Sequence, residues 1–357
     1  MQKTRNSNLE LFRIFLMLSI VSHHYVVNSG LMPVLLDEPL SFKNGFFYLF
    51  GMWGKTGINC FVLITGYFMC KSEITLRKFL KLVLEVEFYK IAIFFIFYLT
   101  GYSSPSIKDA VKAFLPVGSV NNGFVPCFIL FYFFIPFLTI LVKNMSKKQH
   151  LLLLSLCLFI YTFLGMAPGI DVSYNYVSWF CVLFLIASYI RNYGTPTKID
   201  VNWDACFFAS ILLSMVSVIS FVYLKQTFNI PIPCYWLVSD SYAIMAIVVA
   251  VCGLMYFKDL KIPQSKIINT VASSVFGVLL IHANSDTMRT WLWKDLVDVV
   301  GQYYNDYYNL WAIVSVVAIF IICVIIDQIR IMLFEKPLFN FIDKQMDGKN
   351  FHLWKNH

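Results

Sequence analysis

"LFRIFLMLSIVSHHY", residues 11–25, places one arginine and two histidines in an otherwise apolar run. The run from about residue 9 to 28 has the length of a bilayer-spanning helix, which needs roughly 20 predominantly apolar residues. Blocks of the same kind recur along the chain. Of its 357 residues, 59% are hydrophobic and 13% are charged, whereas about a quarter of a soluble domain is charged. The reading is an all-α polytopic membrane protein. Its expected spans are 9–28, 45–69, 79–101, 123–143, 150–168, 173–191, 205–224, 239–257, 267–284 and 310–331. No linker separates two domains, so residues 5–340 read as one integral membrane domain and 341–357 as a short tail.

Lys and Arg accumulate in cytoplasmic loops. With the N-terminus inside, the inner segments hold Lys3, Arg5 and Arg13, then Lys71, Arg77, Lys78 and Lys81, then Lys143, Lys147 and Lys148. Arg191 and Lys198 follow, then Lys258, Lys261 and Lys266, and finally Arg330, Lys336, Lys344, Lys349 and Lys355. The outer loops hold Lys43, Lys108, Lys112, Lys225, Arg289 and Lys294. This alternation predicts ten transmembrane helices with both termini cytoplasmic. The first span, basic and then apolar, reads as a retained signal anchor in the cell membrane. The net charge of +8 is spread over short loops and forms no patch for nucleic acid. The nine cysteines lie singly and read as small buried residues, with neither metal nor redox spacing.

A helix turns about 100° per residue, so eleven steps bring Arg13 and His24 to within roughly 20° of one face, about 16 Å apart along the axis. His23 points elsewhere. Ionisable groups at membrane depth are costly and normally face a bundle interior or a wet cavity. The plainer reading has Arg13 snorkelling to the inner interface and His24 satisfying a carbonyl. In "GMWGKTGINCFVLITGY", residues 51–67, Gly51, Gly54 and Gly57 recur every third residue and Asn59, Thr65 and Gly66 follow. Small residues at that spacing allow a second helix to approach closely, with Asn59 as hydrogen-bonding glue.

Taken together, these motifs resemble the membrane-bound acyltransferase-3 family. "NLELFRIFLMLSIVSHHY" is similar to its first-helix arginine–ten residues–histidine signature, and "GKTGINCFVLITGYF" to its second-helix motif. "NNGFVPCFILFYFFIPFL" (121–138), with Gly123 in place of a tryptophan, "SSVFGVLLIHAN" (273–284), with Leu279 in place of a tyrosine, and "IIDQIRIMLFEKPLF" (325–339) resemble later segments in the same order. The resemblance implies an O-acyltransferase. It would move an acetyl or other short acyl group from acyl-CoA to a hydroxyl of a cell-surface or capsular polysaccharide, or of its lipid-linked precursor.

In that frame His24 is the candidate base, because imidazole suits proton transfer near neutral pH. Arg13 is the candidate for the donor's phosphates, which a guanidinium binds bidentately. Asn59, or Thr65, is the candidate for stabilising the oxyanion. His282 and Asp240 are candidates for the acceptor path, or else sit at the interface and in solvent. Glu87 and Lys90, and likewise Asp327 and Arg330, have the spacing of structural ion pairs. Glu85 is read as part of the first cluster, and Arg191 as an interface anchor. His150, His352 and His357 are placed in a loop and the tail with no role. No metal and no tightly bound cofactor is expected; the partners are acyl-CoA, the glycan acceptor and the bilayer, with no nucleic acid. The competing class is an exporter or flippase for a lipid-linked saccharide, with Arg13 and Asp240 as binding charges. A polysaccharide polymerase is a third class, but no long basic outer loop accompanies it.

Overall fold

A computed structural model describes residues 6–118, 123–196 and 200–345. Lys3, Arg5, Asn121, Asn122, Lys198, Lys349, His352, Lys355 and His357, and most of the expected tail, lie outside the described residues. Among the described residues the ordered elements are helices and helical turns. Six helices are long and apolar enough to cross a membrane, or seven if a bent pair counts as one span. The protein is therefore an all-α, multi-pass membrane protein. Many large apolar side chains are exposed, among them Phe208, Leu212, Leu213 and Val216 on one helix. In a soluble monomer such patches would be a liability; facing lipid, they are matched.

The chain divides into two compact units, residues 1–63 with 198–322, and residues 64–197 with 323–357. In the first unit, the helix Ser7–Val27 has 21 residues, about 32 Å at ~1.5 Å per residue. It packs against Phe42–Gly51, Ile244–Asp259, Lys266–Ser273 and Val275–His282. Phe12 stacks on Phe257 with ring centroids 4.3 Å apart. Its ring also lies where a Cβ on Gly253 would sit, 2.7 Å away, so only glycine fits there. The start of the helix is tied down by Asn8, whose amide donates to the Lys258 carbonyl at 3.0 Å.

The expected second span is one span, Phe42–Met69, with a short interruption inside it. Phe42–Gly51 ends and Gly54–Met69 begins after Met52 and Trp53. A Cβ on Gly51 would meet Val26 at 2.8 Å, one on Gly54 would meet the His23 ring at 2.3 Å, and one on Gly57 would meet Ile20 at 2.8 Å. The glycines ascend in threes while their partners descend in threes, so the pieces run antiparallel to the first helix in a single register. Three absent side chains allow the backbones to meet.

Two other expected spans differ. The eighth helix begins at Ile244, because residues 234–243 turn rather than wind. The ninth is interrupted at Ser274, then ends at His282 and bends by 93° into Asp286–Leu296. Ser285 caps the segment after the bend, its hydroxyl accepting from the Met288 amide at 3.2 Å.

In the second unit, Phe124–Asn144 packs along Tyr176–Tyr193, with Phe131 between Phe180 and Phe184. Gly66 allows close approach here too, since its Cβ would lie 3.0 Å from Ala187 and 3.2 Å from the Phe184 Cα. His150 is not in a loop. The helix begins at Lys147, capped by Ser146, and His150 is fully buried with Nε2 3.0 Å from the Leu185 carbonyl. Arg191 donates to the Tyr67 hydroxyl at 2.7 Å and lies over its ring. The helix Leu76–Leu99 carries six charged residues in its first 15 positions, too many to pass a test of apolarity alone. Its Glu85 leaves the expected cluster with Glu87 and Lys90 and pairs with Arg330 at 3.2 Å. Arg330 also binds Asp327 at 2.8 Å and Glu335 at 3.0 Å, and Tyr89 donates to Asp327 at 2.8 Å. Glu87 and Lys90 remain a pair at 3.7 Å. The helix Lys336–Gln345 runs past residue 340 into the start of the expected tail.

Candidate active site

The first helix sets the geometry. Arg13 lies in its second turn and His24 in its last, so the rise places them about 16 Å apart. His24 Nδ1 lies 2.9 Å from His282 Nε2. Two imidazoles separated by 258 positions in sequence thus meet at one end of the first helix. His282 is fully buried and His24 half-buried. His282 Nδ1 lies 2.6 Å from the Val278 carbonyl, one turn back on its own helix. Its ring stands edge-on to Trp293, centroids 6.5 Å apart, and Trp293 in turn meets Tyr25 at 5.7 Å. This aromatic backing holds His282 from behind. Among the described residues no group hydrogen-bonds His24 Nε2.

His23 has a different position. Its Nδ1 donates to the Gly51 carbonyl at 2.5 Å, a group exposed by the break in the second helix. Its ring fills the space over Gly54. The carbonyls at a helix end lack intrahelical partners, and His23 supplies one. Adjacent histidines therefore do two jobs: one caps a broken helix, and the next points at His282. Lys55 and Arg289 act on His24 through space, and Arg289 is itself paired with Asp286 at 2.8 Å.

Arg13 pairs with Glu10 at 3.1 Å, one turn away on the same helix. Arg13 keeps 22% of its side-chain surface exposed while Glu10 keeps 7%. A guanidinium has five donors in a fixed fork, and Glu10 occupies one edge of it. Asn59 is fully buried, and its amide donates to the Ser241 carbonyl at 2.7 Å. That bond ties Gly54–Met69 to the turn before Ile244. None of the hydrogen bonds described joins Asn59 to either histidine. Asp240 is exposed in that same turn, not at a helix end, and it accepts from Tyr242.

Of the residues singled out in the sequence, the structure thus brings His24 and His282 into contact and holds Arg13 far along the same helix. Asn59 is joined instead to the turn that carries Asp240. The Val278 carbonyl carries no signal in sequence, since every residue has one. Trp293 and Arg289 gave no signal either, because the bend that brings them close follows no pattern in the chain.

No curated protein and no solved structure matches the chain. Residues 6–327 match the family model Acyl_transf_3, described as an acyltransferase domain. The match spans the first helix, the broken second helix and the helix that ends in His282, and with it the chain belongs to the acyltransferase-3 family and is an acyltransferase.

Proposed function

We propose that the protein moves an acetyl or other short acyl group from acyl-CoA to a hydroxyl of a cell-surface or capsular polysaccharide or its lipid-linked precursor. It does so in the plasma membrane, with ten spans and both termini cytoplasmic. The observation that carries this reading is the His24–His282 contact at 2.9 Å. A half-buried imidazole, oriented by a buried partner and with one ring nitrogen unengaged, is suited to general base catalysis.

The step balances without a metal or redox partner. The acceptor hydroxyl gives its proton to His24 Nε2 as its oxygen attacks the thioester carbonyl carbon. The tetrahedral intermediate collapses, the carbon–sulfur bond breaks, and the CoA thiolate takes the proton back from Nε2. The products are an ester and CoA thiol. Asn59 is the assigned donor to the oxyanion, and Asp240 borders the acceptor's approach.

Arg13 marks the donor's end. The nucleotide stays near Arg13, with the open edge of the guanidinium on its phosphates, and the pantetheine arm runs along the first helix towards His24. The acceptor hydroxyl meets the thioester from the other side. Acyl transfer then crosses the membrane without carrying the donor.

The carrier reading has its own support in the 93° bend between Lys266–His282 and Asp286–Leu296, since broken helices are a mark of transporters. One experiment separates the two. The mass and NMR spectrum of the surface polysaccharide are compared between a deletion strain and its parent. Loss of acyl groups from an otherwise exported polymer selects the enzyme. Loss of the polymer selects the carrier.

A further inference from the structure

The hydrogen bonds of the imidazole pair fix where its protons sit. A carbonyl oxygen only accepts, so the contact from His282 to Val278 at 2.6 Å requires a proton on His282 Nδ1. A neutral imidazole has one donor nitrogen and one acceptor nitrogen. His282 Nε2 is then an acceptor, and the 2.9 Å contact requires His24 Nδ1 to donate to it. His24 Nε2 is left with its lone pair. The alternative is a proton on both nitrogens of His282, which would reverse the bond. That form is a buried cation, and among the described residues no carboxylate bonds to either ring. The charged and titratable groups that act on the two rings are His23, Lys55 and Arg289. An unpaired buried charge is costly.

We infer that His282, locked by the Val278 carbonyl, is a positioning residue that holds His24 in the Nδ1–H tautomer and aims the bare Nε2 at the acceptor hydroxyl. This rests on the acyl-transfer reading for its purpose, and on the two distances alone for its chemistry. The arrangement gives His282 a task distinct from lining the acceptor path. It is fully buried, whereas His24 is half-buried. When His24 takes the proton, its Nδ1–H bond to His282 strengthens, because a hydrogen bond from a charged donor is stronger than one from a neutral donor. The Val278 carbonyl sits one turn before His282 on a rigid helix, so the orienting group needs no second side chain.

The test uses the full-length protein in detergent with ¹⁵N-labelled histidine, the His24 signals being assigned by their loss in His24→Ala. The wild type should show a pyridine-type Nε2 and a pyrrole-type Nδ1 on His24. Glutamine at 282 can place its amide oxygen where His282 Nε2 lies, so His282→Gln should keep that pattern. It should also keep most of the acyl content of the surface glycan in cells at matched protein level. His282→Leu has no acceptor, so it should give a mixture of His24 tautomers and lose acylation by about 10²-fold or more. A pyrrole-type Nε2 in the wild type overturns the inference. So does wild-type acylation in His282→Leu, or lost acylation in His282→Gln with the His24 tautomer unchanged. A glycan without acyl groups in the parent strain fails the functional reading instead, and the nitrogen spectra still decide the tautomer.

Discussion

At the scale of single residues, the first helix assigns neighbouring histidines to separate tasks. His24→Ala removes the base, and glycan acylation should fall by about 10²–10⁴-fold, the usual contribution of a positioned acid or base. Membrane insertion, followed by immunoblot of the membrane fraction, should not change, because a half-buried side chain at a helix end contributes little to insertion. His23→Ala should behave in the opposite way. It leaves the Gly51 carbonyl without its 2.5 Å donor, and an unsatisfied buried acceptor costs about 1–3 kcal/mol. Thermal unfolding in detergent should show the loss, while acylation per folded molecule falls far less than in His24→Ala. Arg13→Lys should raise the acyl-CoA concentration needed for half-maximal transfer, since a point charge cannot reproduce the planar fork. An unchanged acyl-CoA requirement removes Arg13 from donor binding and leaves it as Glu10's partner.

At the scale of elements, two contacts carry most of the consequence. The antiparallel register of Gly51, Gly54 and Gly57 on Val26, His23 and Ile20 leaves no room for a methyl group. Gly54→Ala puts a carbon 2.3 Å from the His23 ring, so the helices must part. Overpacking of this kind costs about 1–3 kcal/mol, and the melting temperature should drop. Gly118→Ala is the control, because nothing lies within 4 Å of its would-be Cβ; its melting temperature should match the wild type. In the second unit, Arg330 is bonded to Glu85, Asp327 and Glu335. These join the helix Leu76–Leu99 to the end of Tyr308–Arg330 and the turn after it. Arg330→Leu leaves three carboxylates with one fewer cation, and breaking a buried pair from one side costs about 3–5 kcal/mol. The variant should accumulate poorly in membranes and unfold early. Wild-type yield and melting temperature would mean that the carboxylates are satisfied without it.

At the scale of the whole molecule, topology and sidedness are the measurable properties. Reporter fusions after residues 75, 147 and 262 should read cytoplasmic, and fusions after 40, 110 and 230 external, because the loop charges alternate. The charge-rich helix Leu76–Leu99 is the element this tests hardest, since length and apolarity alone do not qualify it as a span. In sealed vesicles of known orientation, acyl-CoA on the cytoplasmic side should label an acceptor confined to the opposite side. Labelling only when both share the cytoplasmic side would place the reaction before the glycan crosses.

The sequence alone determined that the chain is helical and lies in a bilayer, and where most of its helices begin. These properties depend on neighbours within a few turns: apolar length, charge density and capping residues such as Ser146. It also put Arg13 and His24 on one stripe, because helical phase is a local quantity. The i,i+3 pairs Asp327–Arg330 and Glu87–Lys90 were legible for the same reason. The break at Met52–Trp53 was not, though the three glycines flanking it were in view. Glycine spacing tells that something approaches closely; what approaches is decided by the first helix. Asp240 was misplaced because a helix start read from apolar pattern slides over an apolar turn. Only the tertiary structure decided that His282 faces His24, that Asn59 reaches Ser241, and that Glu85 leaves its helical neighbours for Arg330. Each of these joins residues more than 180 positions apart. Their meeting depends on how helices cross and bend, and that is set by the packing of many side chains together and not by the few that carry the chemistry.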